Sequence, residues 1–180
     1  EAPSFGVFAG VHGLEKVGTH VVLHHLEFLV RQLEWDEDLQ KKFSNCRLVS
    51  IPMLNPWGVR YFRRSNPNGV DLMRNSPVDA ETQPPFLVGG QRYSSKLPWY
   101  RGNSEKMELE SQTLIEFVRR EMFESSFSVS LDLHSGFGAK DRLWYPYAKT
   151  TQDFPLIKEV CQFQKLFGNA FPNHIYHIEP

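Results

Sequence analysis

The sequence predicts an α/β fold built on a parallel sheet, and three observations carry the prediction. Phe5-Gly-Val-Phe-Ala-Gly-Val11 is a short, nearly continuous apolar run, the signature of a strand buried on both faces. A helical pattern follows it, and then a second apolar run, Arg47-Leu-Val-Ser-Ile-Pro-Met-Leu54. Strand, helix and strand in that order form a right-handed βαβ unit. The third observation is size, because 180 residues suit one globular domain with a sizeable core, taken as residues 1–180.

Each element has its own justification. The first strand covers residues 4–11, with Val7, Phe8 and Val11 apolar between small glycines. From Glu15 to Trp35, Val22, Leu26, Leu29 and Leu33 recur at three- and four-residue steps, which turns one stripe of a helix to the core. His20, His24 and His25 lie on this helix and read as a solvated or half-buried face, since no third ligand joins them. Residues 36–45 are a polar connector or short helix. The second strand, 47–54, ends in Asn55-Pro56-Trp57-Gly58, a turn signal. Residues 59–75 form an irregular stretch that crowds Arg60, Arg63, Arg64 and Arg74 around Asp71. Residues 76–103 carry Pro84-Pro85, Gly89-Gly90 and Pro98-Trp99-Tyr100 and form a long connection, expected as a functional rim or lid. Ser104 can cap a helix over 105–122, with Leu109, Leu114, Phe117 and Val118 apolar. Ser128–Leu133 is the third strand, and Leu143–Tyr147 a short extended segment. A helix over 154–167 follows, with Pro155 in its first turn and Gly168 as its stop. Residues 175–180 begin another element.

The bulk numbers exclude several classes. A net charge of -1 and a pI near 6.7 give no electrostatic case for nucleic acid or an anionic membrane. No stretch approaches the ~20 apolar residues of a membrane span. No signal peptide is visible, and the expected location is the cytoplasm, with a removed leader left open. Cys46 and Cys161 are too few for a disulfide framework; they fit a reduced compartment and are expected as buried small hydrophobes.

Chemistry gathers at the strand ends. His12-Gly-Leu-Glu15 places an imidazole and a carboxylate three residues apart, just beyond the first strand, and His134 stands at the end of the third. In an open parallel sheet ligands bind beyond the carboxyl ends of the strands. Two imidazoles and a carboxylate are good ligands for Zn2+, which needs three protein ligands and an open position to do chemistry. Asp71 can accept a hydrogen bond from the far nitrogen of a ligating imidazole, and Asp132, two residues before His134, is another such candidate. An arginine on the 59–75 stretch can grip a carboxylate or stabilise a developing oxyanion.

Four motifs in order resemble the zinc metallocarboxypeptidases: His12-Gly-Leu-Glu15; Asn55-Pro-Trp-Gly58; Arg63-Arg-Ser-Asn-Pro-Asn-Gly-Val-Asp71-Leu-Met-Arg74-Asn75; and Leu131-Asp-Leu-His134-Ser135. The helix around Glu108–Val118 resembles the one such enzymes place before the third ligand, and the likeness covers about residues 5–150. It implies a mixed, mostly parallel eight-stranded sheet with helices on both faces. It implies zinc on His12, Glu15 and His134, with Asp71 orienting His12. Arg63 or Arg64 would stabilise the oxyanion. Arg74, with Asn75, would bind a terminal carboxylate, and Ser135 would be a neighbouring contact. The implied reaction is hydrolysis of a C-terminal peptide bond. The alternatives are a zinc amide deacylase of the succinylglutamate desuccinylase and aspartoacylase type, acting on an N-acyl amino acid, and a non-catalytic zinc-binding module.

Two departures from the family stand out. Its Asp-x-Asn-Arg becomes Asp71-Leu-Met73-Arg74, and a thioether cannot donate the hydrogen bond that an amide gives. Its general base is a Glu well after the third ligand, whereas only 46 residues follow His134, among them Glu159 in a helical pattern and Glu179 near the end. The expectation is that the sequence lacks the C-terminal part carrying that base.

Overall fold

The computed structural model describes residues 2–85, 87–136, 138–145 and 149–179. Its first sheet is built around β1 (Ser4–Ala9), which pairs in parallel with β2 (Arg47–Ile51) on one edge and β3 (Ser128–Leu133) on the other. The register runs from Ser4 opposite Arg47 and Ser128 to Phe8 opposite Ile51 and Asp132. β1 lies in the middle, which explains its near-continuous apolar character: five of its six residues are buried.

The pleat then sends alternate side chains of β1 to opposite faces. Val7 and Ala9 pack with Val22 of α1 (Lys16–Gln32), and Phe5, Leu26, Leu48 and Leu133 close that cluster. On the other face Phe8 meets Phe117 of α4 (Leu109–Met122) edge-on at 6.2 Å, and Met122 lies over Gly6. A second cluster, Val11, Leu54 and Leu72 with Ile51 and Leu114, fills the space beyond the strand ends. Helices thus cover both faces of a parallel sheet, as predicted.

Short elements set the loops. α2 (Glu37–Phe43) starts on Asp36, whose carboxylate accepts the Leu39 N–H. Residues 55–58, expected as a turn, open a helix instead: α3 (Pro56–Tyr61) has Pro56 at its first position and the Asn55 side chain accepting the Gly58 N–H. It ends at Phe62 in the left-handed region (φ 53), and the Arg63 N–H closes on Gly58 O. Asp71 caps a 3-10 turn, Leu72–Arg74.

The predicted single domain over 1–180 divides into two compact units, residues 1–77 with 85–136 and residues 78–84 with 137–180. In the second, β4 (Arg142–Trp144) pairs in parallel with β5 (His177–Glu179), and α5 (Ile157–Ala170) connects them. The described residues therefore hold a three-stranded and a two-stranded sheet where the resemblance implied eight strands.

Several boundaries move. β1 and β2 stop at Ala9 and Ile51, short of Val11 and Leu54. α4 starts at Leu109 after Glu108, so Ser104 does not cap it. α5 begins beyond Pro155 and runs through Gly168, which is not its stop. The extended segment expected to reach Tyr147 is strand at 142–144, and its last two residues lie outside the described ones. Cys161 is exposed on α5 and Cys46 half-buried, so neither is the fully buried hydrophobe expected. His20, His24 and His25 are exposed on α1, and among the described residues no helix is long and apolar enough to cross a membrane.

Candidate metal centre

β1 delivers the chain to Val11 and His12, and the turn that follows must pass close to α3. A Cβ on Gly13 would lie 1.9 Å from the Gly58 carbonyl carbon, so only glycine lets the loop sit there. The turn closes with the Glu15 N–H on His12 O at 3.0 Å and places Glu15 immediately before α1. Its carboxylate makes no capping bond, a sacrifice of about 1 kcal/mol relative to a good cap. It turns instead to two imidazoles.

Glu15 Oε1 lies 2.9 Å from His12 Nδ1, and Oε2 lies 3.0 Å from His134 Nδ1. The Ser135 N–H also donates to Oε2 at 3.0 Å. The far nitrogen of each ring meets an aspartate: His12 Nε2 lies 3.1 Å from Asp71 Oδ1, and His134 Nε2 lies 2.8 Å from Asp132 Oδ2. With both Nε2 atoms donating to carboxylates, each neutral ring keeps its Nδ1 lone pair. Those lone pairs converge with the Glu15 oxygens, and one ligand atom from each of His12, Glu15 and His134 lies within 4.8 Å of the others. Two imidazoles and a carboxylate are the donor set of a zinc centre, and the residues fit the metal.

Asp71 is the hub behind His12. It is buried, and its Oδ1 also accepts the Met73 N–H at 3.2 Å. Its Oδ2 takes Arg64 Nε and Arg74 Nη1, each at 2.9 Å. Arg64 Nη1 also stands 3.5 Å from Glu15 Oε1. Of the two neighbouring arginines, Arg64 therefore reaches the cluster, while Arg63 is exposed. Arg74 gives its Nε–H to Val88 O and lies 5.8 Å from the Trp99 ring, two anchors from the 85–102 stretch that nothing in the residue pattern marked.

Asn75 makes its contacts inside the protein. It is buried, its amide donates to Arg101 O, and its Oδ1 accepts the Glu108 N–H, so it fastens a loop and the start of α4. Within the 91–100 stretch one side chain reaches several backbone groups. Gln91 donates to Ser94 O, Leu97 O and Pro98 O and accepts from the Tyr93 and Ser94 N–H groups. Met73 is exposed, and Glu159 and Glu179 belong to the second unit, where Glu179 pairs with Arg142.

Charge in the cluster follows from these contacts. Burial alone would raise Glu15, but hydrogen bonds from His12, His134 and the Ser135 N–H hold it well below the ordinary carboxylate range. Burial likewise opposes ionisation of Asp71, and His12 and Arg64 overcome it and bring its pKa down to about 2. The imidazoles go the other way. Burial would lower His134, yet Asp132 and Glu15 raise it to about 9, and Asp71 and Glu15 raise His12.

Comparison with known proteins agrees with this geometry. The family described as zinc carboxypeptidase matches residues 1–177. Carboxypeptidase D of Anas platyrhynchos is 26% identical over 173 residues, covering 96% of this chain and 11% of the relative, so the chain spans a small part of that protein. Among solved structures, carboxypeptidase A from Helicoverpa armigera superimposes with a TM-score of 0.74 at 20% identity, over 98% of this chain and 45% of that one. The murein-tripeptide amidase from Escherichia coli O157 gives 0.56 at 20% identity, over 99% and 65%. At such identities the structural likeness shows the fold alone.

Proposed function

Because the chain belongs to the zinc carboxypeptidase family, we propose that its strand-end cluster is the metal-binding and carbonyl-activating part of a hydrolase that removes the C-terminal residue of a peptide. The observation that carries the reading is the convergence of His12 Nδ1 and His134 Nδ1 on the two oxygens of Glu15, with both Nε2 atoms tied to aspartates. His12, Glu15 and His134 would hold Zn2+. Zinc bound there supplies Lewis acidity toward the scissile carbonyl and brings a bound water toward a pKa of ~7.

The chain's own residues supply the rest. Asp71 orients His12 and also fixes the guanidinium of Arg64. Arg64, partly exposed beside Glu15, is placed to meet negative charge developing on the carbonyl oxygen. Arg74 is the proposed partner of the substrate's terminal carboxylate, with Asn75 bracing its neighbourhood from within. Ser135 acts through its N–H on Glu15. None of the described residues is assigned the general-base role.

A second reading rests on Met73. It is exposed beside Arg74 and offers no donor where the family has an amide, so the acid recognised can instead be that of a small N-acyl amino acid. Elemental analysis of the wild type and His134→Ala comes first, and zinc present in the former and lost in the latter is the expected result. Absence of zinc after supplementation would sink both readings. Turnover of peptides with a free C-terminus against N-acyl amino acids then separates them, and Arg64→Ala should lower kcat by about 10²–10³ at unchanged zinc content.

A further inference from the structure

We propose that Asp132 is a positioning residue for the metal centre: its carboxylate sets the tautomer and the ring orientation with which His134 presents Nδ1. The inference rests on the reading of His12, Glu15 and His134 as zinc ligands and deepens it.

The two imidazoles are both backed by carboxylates, but by different routes. Asp71 reaches His12 across 59 residues, whereas Asp132 is only two residues from His134. β3 alternates strictly between more and less exposed positions, with Val129, Leu131 and Leu133 on the covered side and Asp132 on the other. His134 follows the last strand residue, so the pleat returns its side chain toward the Asp132 side. The result is a 2.8 Å hydrogen bond from Nε2–H to Oδ2. Among the described residues His134 is the partner of Asp132, so nothing competes for that carboxylate.

The backbone beneath is fixed from both directions. A Cβ on Gly18 of α1 would come within 2.6 Å of Leu133 O, so helix and strand end are in close contact just before His134. Just after it, the Ser135 N–H is held by Glu15. What remains free is rotation of the ring and the choice of tautomer. A neutral imidazole with its proton on Nδ1 would aim N–H where a lone pair is needed. Asp132 removes that choice, because its carboxylate can only accept.

Zinc affinity tests this directly. The dissociation constant is measured by competition with a chromogenic chelator for the wild type, Asp132→Asn, Asp132→Ala and Asp132→Glu, with His134→Ala as control. The expected result is about 10–100-fold weaker zinc binding in the Ala variant at unchanged stoichiometry, a smaller loss in Asn, whose amide oxygen can still accept, and part of the affinity restored in Glu. A second readout is the His134 Nε2 proton in the zinc-loaded protein by 15N NMR, expected to be slow to exchange in the wild type and fast in Asp132→Ala. Affinity within about twofold of wild type in the Ala variant, with His134 still protonated at Nε2, would overturn the proposal. If Asp132→Ala fails to fold by circular dichroism, Asp132→Leu, similar in size and without an acceptor, takes its place. A wild type that takes up no zinc, or a His134→Ala protein that keeps it, overturns the underlying zinc reading instead.

Discussion

The two sides of the cluster are built on different principles. On the His12 side the imidazole and its carboxylate are buried: His12 and Asp71 are 4% and 3% exposed, and that one carboxylate serves the imidazole, two partly exposed arginines and a backbone N–H. On the His134 side the ring and Asp132 are 22% and 33% exposed, and the pair is local to one strand end. The first arrangement depends on the tertiary fold; the second is almost a property of a short peptide. The same chemical device therefore carries very different structural loads.

Replacing Asp71 separates the two sides most sharply. Asp71→Asn removes the buried anion that His12, Arg64 and Arg74 share, and loss of one partner of a buried pair costs up to about 3–5 kcal/mol, the partial exposure of the arginines keeping it toward the lower end. Urea denaturation should show a fall of that size, whereas Asp132→Asn, at an exposed pair, should change stability by about 1 kcal/mol or less. Equal losses would erase the distinction.

Acid and base act next. In metal-free protein the raised His134 contributes stability that is fully present below its unfolded pKa of 6.5 and is lost as pH rises through about 9. Asp71, lowered to about 2, contributes stability present above its unfolded 3.8 and lost as pH falls through about 2. Melting temperatures in chelator should hold between about pH 3.8 and 6.5 and decline from 6.5 toward 9 and from 3.8 toward 2, with the raised His12 adding to the basic decline and the lowered Glu15 to the acidic one. Zinc should remove the basic decline, because metal and proton compete for Nδ1. His134→Ala should reduce the basic decline to the part owed to His12; an undiminished decline would assign it to another group.

Close packing gives smaller effects. Gly18→Ala presses a methyl against Leu133 O, and overpacking of this kind costs about 1–3 kcal/mol. The strand end should shift and zinc binding weaken on the His134 side, with His12 resonances unmoved. Movement of both histidines together would show that the two sides are coupled more tightly than their contacts suggest.

Which parts were legible in the sequence follows from the same contrast. Strand-end ligands and the in-strand Asp132 could be read because period-2 pleating and sheet topology are local rules. The choice between Arg63 and Arg64 could not. Phe62 ends α3 at φ 53, a conformation that an aromatic residue rarely takes, so the path of the chain into Arg63 and Arg64 carries no signature in the sequence. The internal partners of Asn75 were hidden for a related reason. Its neighbours suggest a ligand contact, but its partners, Arg101 and Glu108, come from a later stretch whose path has no periodicity. Cys161 sits on a helix face left exposed, and Gly168 continues a helix that residue preference would have ended. Residues 55–58 show how close a turn and a helix start are in sequence, since Asn and Pro serve both.

Gln91 has a consequence for the life of the protein outside any reaction. The 91–100 stretch exposes Arg92, Tyr93 and Lys96, which digestive proteases favour, on a loop without regular structure. A protease must draw several residues into extended form, and here one amide clasps backbone groups at 93, 94, 97 and 98. Gln91→Ala should convert this stretch into the first site of limited proteolysis, cut by trypsin after Arg92 or Lys96, while the wild-type loop survives the same digestion.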